Sequence, residues 1–197
     1  MSARVAVVDS GIYADHPHVN GIAGGVAIVG DDLVDRLGHG TAVAAVIREK
    51  APDAGIFAVK IFDRKLATDA LMLAGAIRWC AENGMEWINL SLGTANTEHT
   101  ELLQRAVDDA LSRGARVVSA YGWLPGSLPC AIPVLLDWEC SRGECRLREL
   151  PDGRTAYCAS GYPRPIPGVS PERNFKGISF AVANVTGWLA SKRKANY

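Results

Sequence analysis

The sequence has no surplus of charge of either sign, with Lys plus Arg and Asp plus Glu at 21 each. A chain without a net field has nothing to draw it as a whole to nucleic acid or to an anionic membrane, so neither is expected as a partner. No stretch approaches the roughly 20 apolar residues of a membrane span. The N-terminal Met1-Ser2-Ala3-Arg4 runs straight into Val5-Ala6-Val7-Val8. That run is too short for a signal peptide, and a core strand needs it. Internal repeats and low-complexity tracts are missing too. The expectation is a cytoplasmic protein whose residues 1–197 form one compact domain, with no propeptide and no signal peptide.

Paired C-x2-C knuckles are also lacking. The five cysteines, Cys80, Cys130, Cys140, Cys145 and Cys158, are odd in number, and four of them crowd between positions 130 and 158. In a chain that reads as intracellular, this favours free thiols over a local disulfide or a structural zinc. Asp31, Asp32 and Asp35 match no loop with regular calcium-ligand spacing and read as solvated charges. Neither a metal nor a cofactor is expected.

What is present is a regular alternation. Val5 to Asp9 is a short continuous apolar run stopped by Ser10-Gly11, as in a strand buried on both faces. Gly25 to Val29, Phe57 to Phe62, Trp87 to Gly93, Arg116 to Tyr121 and Ala131 to Trp138 read as further strands. Between them lie a small-residue helix after His39, ended by Ala51-Pro52, and helices over Thr68 to Asn83 and Thr97 to Arg113, each closed by a glycine. This pattern predicts an α/β fold: a three-layer, doubly wound, mostly parallel sheet with helices on both faces and right-handed crossovers. Glu139 to Lys176 loses periodicity to Gly, Pro and charge and reads as surface loop, with room for short strands. The basic residues of Ser191 to Tyr197 sit at a helix C-terminus, where they complement the dipole.

Three residues stand out against that frame. Asp9 ends an apolar strand, on the sheet edge where ligands bind in open α/β folds, although Asp-Ser-Gly is also an ordinary turn. His39 lies in Gly38-His39-Gly40-Thr41 at a helix start, where a lone histidine usually only caps. Ser179 follows Gly177-Ile178 at the head of an apolar helical run, beside backbone N–H groups without intrahelical partners. Such a serine is commonly just an N-cap. Its interest comes from the set: an aspartate, a histidine and a serine in that order.

With the strings between them, these residues resemble the subtilisin-like serine proteases from Val5 to about Ala190. Asp9-Ser10-Gly11 is similar to the family's aspartate motif, Gly38-His39-Gly40-Thr41-Ala42-Val43-Ala44 to its histidine motif, and Gly177-Ile178-Ser179-Phe180-Ala181 to its serine motif, with Ile178 where threonine is usual. Ala51-Pro52, Val59-Lys60-Ile61 and Ile88-Asn89-Leu90-Ser91-Leu92-Gly93 fall in the family's order. The resemblance implies Ser179 as nucleophile, His39 as general base and then acid, and Asp9 as the carboxylate that orients the imidazole. It also implies that Ser91, Leu92 and Gly93 pair with an extended substrate, and that Ala120, Tyr121 and Gly122 belong to the first specificity pocket. The Ser179 backbone N–H would be one oxyanion donor.

The departures bear on function. Trp123 stands where the family's oxyanion asparagine is expected, and loss of one such donor costs about 2.7–4 kcal/mol of transition-state stabilisation. Tyr121 takes the place of a small pocket residue, which implies a preference for a small residue before the cleaved bond. Ala183-Asn184 replaces the family's Pro-His. The resemblance therefore implies a slow serine endopeptidase with a peptide or protein substrate, engaged in narrow-specificity intracellular maturation of a peptide precursor, with room for a partner protein that completes the site. Two alternatives stay open: a pseudoprotease that binds peptides through Ser91-Leu92-Gly93, and a transpeptidase or macrocyclase that hands the same acyl-enzyme to an amine.

Overall fold

A computed structural model gives the fold, and it describes residues 2–65 and 67–192. The continuous apolar run Arg4–Asp9 forms β1 and sits inside the sheet, with Val5 to Val8 fully buried. β2 is Gly24–Ala27, β3 Gly55–Lys60, β4 Trp87–Leu90, β5 Arg116–Ala120, β6 Ile132–Leu136, β7 Cys145–Glu149 and β8 Thr155–Ala159. They make one eight-stranded sheet in the order β2-β3-β1-β4-β5-β6-β8-β7. Every neighbouring pair is parallel except β7 with β8.

Among the described residues four α-helices cover the sheet: α1 at His39–Lys50, α2 at Ala70–Glu82, α3 at Thr100–Ser112 and α4 at Ile178–Lys192. α2 and α3 bury their apolar faces with Ala6, Val8, Ile88 and Val117 on one side of the sheet. α1 and α4 pack with Val5, Val7 and Ile56 on the other. The expected three-layer α/β architecture is what the chain adopts. The strand order reverses beside β1, whose neighbours are β3 and β4. A crevice opens outside the carboxyl ends of β1 and β4 at such a reversal.

Several boundaries differ from the sequence reading. The histidine helix starts at His39 itself. α2 is capped by Asp69, whose side chain accepts from the Met72 N–H at 2.8 Å, one residue beyond Thr68. The fourth strand stops at Leu90, and Ser91-Leu92-Gly93 leaves the sheet. The short strands for which Glu139 to Lys176 left room are β7 and β8, which form a hairpin, and β8 extends the parallel sheet beside β6. Periodicity hid β7, which is an edge strand with Arg146, Leu147, Arg148 and Glu149 exposed. Of the C-terminal basic residues, Lys192 closes α4 and stacks its Nζ 3.8 Å from the Trp188 ring centre. Arg193 and Lys194 lie outside the described residues.

α4 is apolar nearly all round and is buried from Phe180 to Gly187. It crosses α1 so closely that a Cβ on Gly187 would stand 3.0 Å from Lys50 Cβ and 3.2 Å from Ile47 Cα. Gly75, on exposed helix surface in α2, has nothing within 4 Å of the same position. Gly187→Val is expected to destabilise the fold by about 1–3 kcal/mol through overpacking. Gly75→Ala is expected to stabilise it by about 0.4–1 kcal/mol. Urea unfolding checks both: the midpoints should move in opposite directions at unchanged slope.

Candidate active site

β1 delivers Asp9 to the mouth of the crevice, where its carboxyl is 1 % exposed. A buried carboxylate needs partners. Oδ1 accepts from the Ser10 N–H at 2.8 Å, and His39 Nδ1 lies 2.9 Å from both Oδ1 and Oδ2. With Nδ1–H donating to the carboxylate, Nε2 is the nitrogen left to face the crevice. Gly40 makes this approach possible, because a Cβ there would fall 2.2 Å from the Gly11 carbonyl oxygen and 3.1 Å from Asp9 Cβ.

The head of α1 has no capping side chain of its own. Its unpaired N–H groups are satisfied from the loop before it and from β1's turn. Ser10 Oγ accepts from Gly40 N–H at 3.1 Å, and Asp35 Oδ2 accepts from Thr41 N–H at 2.8 Å and Thr41 Oγ1–H at 2.7 Å. Asp35 Oδ1 also accepts from Leu37 N–H, Gly38 N–H and Ser10 Oγ–H. Asp35 is thus no free surface charge, and its negative charge sits where a helix N-terminus favours it.

Asp32 is not a solvated charge either. It meets Arg36 at 2.6 Å and the fully buried Lys60 at 3.2 Å, while Lys60 also reaches Asp63 at 2.9 Å. Arg36 and then Lys60 hold the Asp32 carboxyl far below the usual carboxylate range. These pairs tie the loop that carries Asp35 to the end of β3.

Ser179 is the second residue of α4, after Gly177 at φ 140°. Its Oγ donates to the Ser91 carbonyl at 3.3 Å, and Ser91 Oγ donates back to the Ser179 carbonyl at 3.3 Å. Behind them, Asn89 Nδ2 donates to Ser91 Oγ at 3.0 Å and Thr186 Oγ1 donates to Asn89 Oδ1 at 3.0 Å. Asn89 and Thr186 are fully buried. This chain of polar side chains registers α4 on β4, and no short sequence motif announces it. The next residue, Phe180, packs on the His39 ring at 5.7 Å between centroids, which brings the head of α4 beside the imidazole. Among the described residues no hydrogen bond joins Ser179 to His39.

The segment after β5 folds in a way the sequence did not announce. Leu124 N–H donates to the Thr94 carbonyl at 2.9 Å and Thr94 N–H to the Leu124 carbonyl at 3.0 Å. This isolated antiparallel bridge ties together the ends of Ser91-Leu92-Gly93 and Ala120-Tyr121-Gly122. Trp123 is half exposed, and a Cβ on Gly93 would stand 3.0 Å from its Cβ. Its indole N–H has no partner among the described residues. The Tyr121 ring lies 5.9 Å from the Arg154 guanidinium, which donates to the Ser127 and Leu128 carbonyls at 2.9 and 2.8 Å. Arg154, from the turn of the β7–β8 hairpin, is therefore a support of this wall. A cleft of about 650 Å³ runs beside Leu92, Gly93 and Thr94, walled by Leu71, Leu73, His99 and Leu102.

The family model of the subtilases (Peptidase_S8) matches residues 2–124. The chain belongs to the subtilase family. The matched stretch includes Asp9 and His39 and ends before Ser179. Among curated relatives, the chain is 38 % identical over 131 residues to a thermostable alkaline protease of Halalkalibacterium halodurans, covering 61 % of this chain and 35 % of that protein. It is 38 % identical over 130 residues to subtilisin Savinase of Lederbergia lenta, covering 60 % and 47 %. The match thus spans well under two thirds of either relative. Solved structures extend the likeness in fold over nearly the whole chain. A lanthipeptide protease superposes with TM-score 0.71 at 21 % identity, covering 98 % of this chain and 74 % of that one. The nisin leader peptidase NisP of Lactococcus lactis gives 0.73 at 18 %, covering 100 % and 79 %.

Burial pulls the His39 imidazole down, but the hydrogen bond and charge of Asp9, with the charge of Asp35, outweigh it and hold the group above its ordinary 6.5. The folded pKa is the higher one, so the stabilisation is full below the unfolded value and is lost as pH rises through the folded value. Ring-proton NMR should place the His39 midpoint above 6.5, and Asp35→Asn should lower it. A midpoint unchanged in Asp35→Asn would show that Asp35 does not act on the imidazole.

Proposed function

We propose that the chain is a serine endopeptidase in which Ser179 attacks the scissile carbonyl. His39 takes the serine proton and passes it to the leaving amine, while Asp9 holds the imidazole in the Nδ1–H tautomer. The observation that carries this reading is the buried Asp9 carboxylate, 2.9 Å from His39 Nδ1 through both oxygens, with the Ser179 helix packed on the same ring. A merely structural histidine has no need of that pairing beside a serine at a helix head. The Ser179 N–H lies in the first turn of α4, where it is free of an intrahelical acceptor and suited to a developing oxyanion.

The substrate is proposed to be a peptide precursor cleaved with narrow specificity. Supporting this, Tyr121 stands where the family has a small residue in the first specificity pocket, which favours a small residue before the scissile bond. The fold neighbours point the same way, since one is a lanthipeptide protease, one a leader peptidase and one, PagA, a prenylagaramide maturation protease with TM-score 0.68 at 23 % identity. With Trp123 in place of an amide donor, the hydrolysis is expected to be slow, by about 10²–10³ in rate against a site with that donor. An intracellular setting remains part of the proposal.

Trp123 also favours a second reading, a peptide-binding module without turnover. Intact mass after exposure to a fluorophosphonate separates the two. One adduct per chain is expected on the wild type, with none on Ser179→Ala and at least a hundredfold slower labelling on His39→Ala. No adduct on folded wild type would put the binding module ahead.

A further inference from the structure

The segment from Tyr121 to Leu128 folds back on itself at the end of β5. Gly122 N–H donates to Ser127 Oγ at 2.9 Å, Ser127 N–H to the Trp123 carbonyl at 2.9 Å and Leu128 N–H to the Pro125 carbonyl at 2.9 Å. Gly126 lets the segment close, because a Cβ there would stand 2.0 Å from the Ala120 carbonyl oxygen. Bonds this local set the shape of the segment but not its place beside Ser91-Leu92-Gly93. Among the described residues, two hydrogen-bonded ties reach it from distant parts of the chain. One is the main-chain bridge from Thr94 to Leu124, and the other is the side chain of Arg154.

Arg154 is built to hold what it touches. It lies in the turn of the β7–β8 hairpin, where Asp152 accepts from its main-chain N–H at 3.1 Å and from its Nε at 2.9 Å. With Nε engaged, the plane of the guanidinium is set. Nη1 and Nη2 then donate to the consecutive carbonyls of Leu128 and Ser127 at 2.8 and 2.9 Å. The same cation stands 5.9 Å from the centre of the Tyr121 ring, within cation–π reach. One planar group thus grips both ends of the segment, the first residue by its ring and the last two by their main chain. A lysine ammonium offers no such fork.

We infer that Arg154 is a positioning residue for substrate choice: by fixing Tyr121 and the return limb of its segment, it limits the size of the residue accepted before the scissile bond. The inference rests on the proposed proteolysis and on Tyr121 as a residue of the first pocket. The path to the serine is short. Ser91 exchanges hydrogen bonds with Ser179, and two residues on, a Cβ at Gly93 would meet the Leu124 carbonyl oxygen at 2.5 Å and Trp123 Cβ at 3.0 Å. Among the described residues Arg154 shares no hydrogen bond with Asp9, His39 or Ser179. Its loss therefore loosens the pocket and leaves the catalytic groups in place.

The test uses internally quenched peptides that differ only in the residue before the scissile bond, Ala or Phe. Wild type should favour Ala at least tenfold in kcat/KM, and Arg154→Ala should shrink that ratio at least fivefold. Arg154→Lys should recover less than half of the lost ratio. Fluorophosphonate labelling of Ser179, which places no side chain in the pocket, should stay within threefold of wild type in both variants. A purely structural role is separated by a double-mutant cycle. With Tyr121→Ala already present, Arg154→Ala should alter the ratio less than twofold. Arg148→Ala, exposed on the same hairpin, should leave the wild-type ratio unchanged. A ratio unmoved by Arg154→Ala, equal losses with and without Tyr121, or a wild type with no preference for Ala overturns the inference. If Arg154→Ala does not fold, Arg154→Gln is held to the same limits. If no peptide is cleaved, the proteolysis reading falls separately, and calorimetry of acyl-half pentapeptides ending in Ala or Phe on Ser179→Ala decides. An Ala advantage of at least fivefold that Arg154→Ala removes supports the inference, and any other result overturns it.

Discussion

A carboxylate at the end of a buried strand is the constraint on which the rest of this structure turns. At 1 % exposure the Asp9 oxygens need hydrogen-bond donors, and His39 with the Ser10 amide supplies them. Meeting that demand fixes the position of α1, because His39 is its first residue. It also sets the composition of the contact: glycine at 40, where any side chain would collide with Gly11, and Asp35 to satisfy the N–H groups that the helix cannot satisfy itself. Lys60, buried at the end of β3, then holds the loop that holds Asp35.

The same logic governs the serine side by different means. There the chain uses neutral hydrogen bonds, from Thr186 through Asn89 and Ser91 to Ser179, across an interface that is otherwise apolar. Neutral groups cost less to bury than charges, provided each finds a partner. The charged groups thus gather around the imidazole, and the serine is held by neutral ones.

The sequence made the sheet and the three motif residues legible because both depend on local pattern. Continuous apolar runs mark strands covered on both faces, and glycines mark the turns beside Asp9, His39 and Ser179. What stayed hidden depends on partners distant in sequence. Asp32 and Asp35 look like surface charges until Lys60 and the head of α1 arrive. Strand β7 puts only Cys145 against the core, so alternation had little to report, and with it Arg154 was lost as the residue behind Tyr121. The Thr94 to Leu124 bridge is made by backbone alone and leaves no mark on side-chain choice.

Strand β7 has a further consequence. As the last strand of the sheet it presents unpaired backbone groups to solvent, which is a template for another extended chain. Arg146, Arg148 and Glu149 project from that border, and Leu147 is its lone large apolar residue, 64 % exposed. Two copies meeting border to border would have to bring these charged side chains together with little apolar area gained. The hairpin that extends the sheet thus also terminates it, discouraging fibrous growth at the margin farthest from β2.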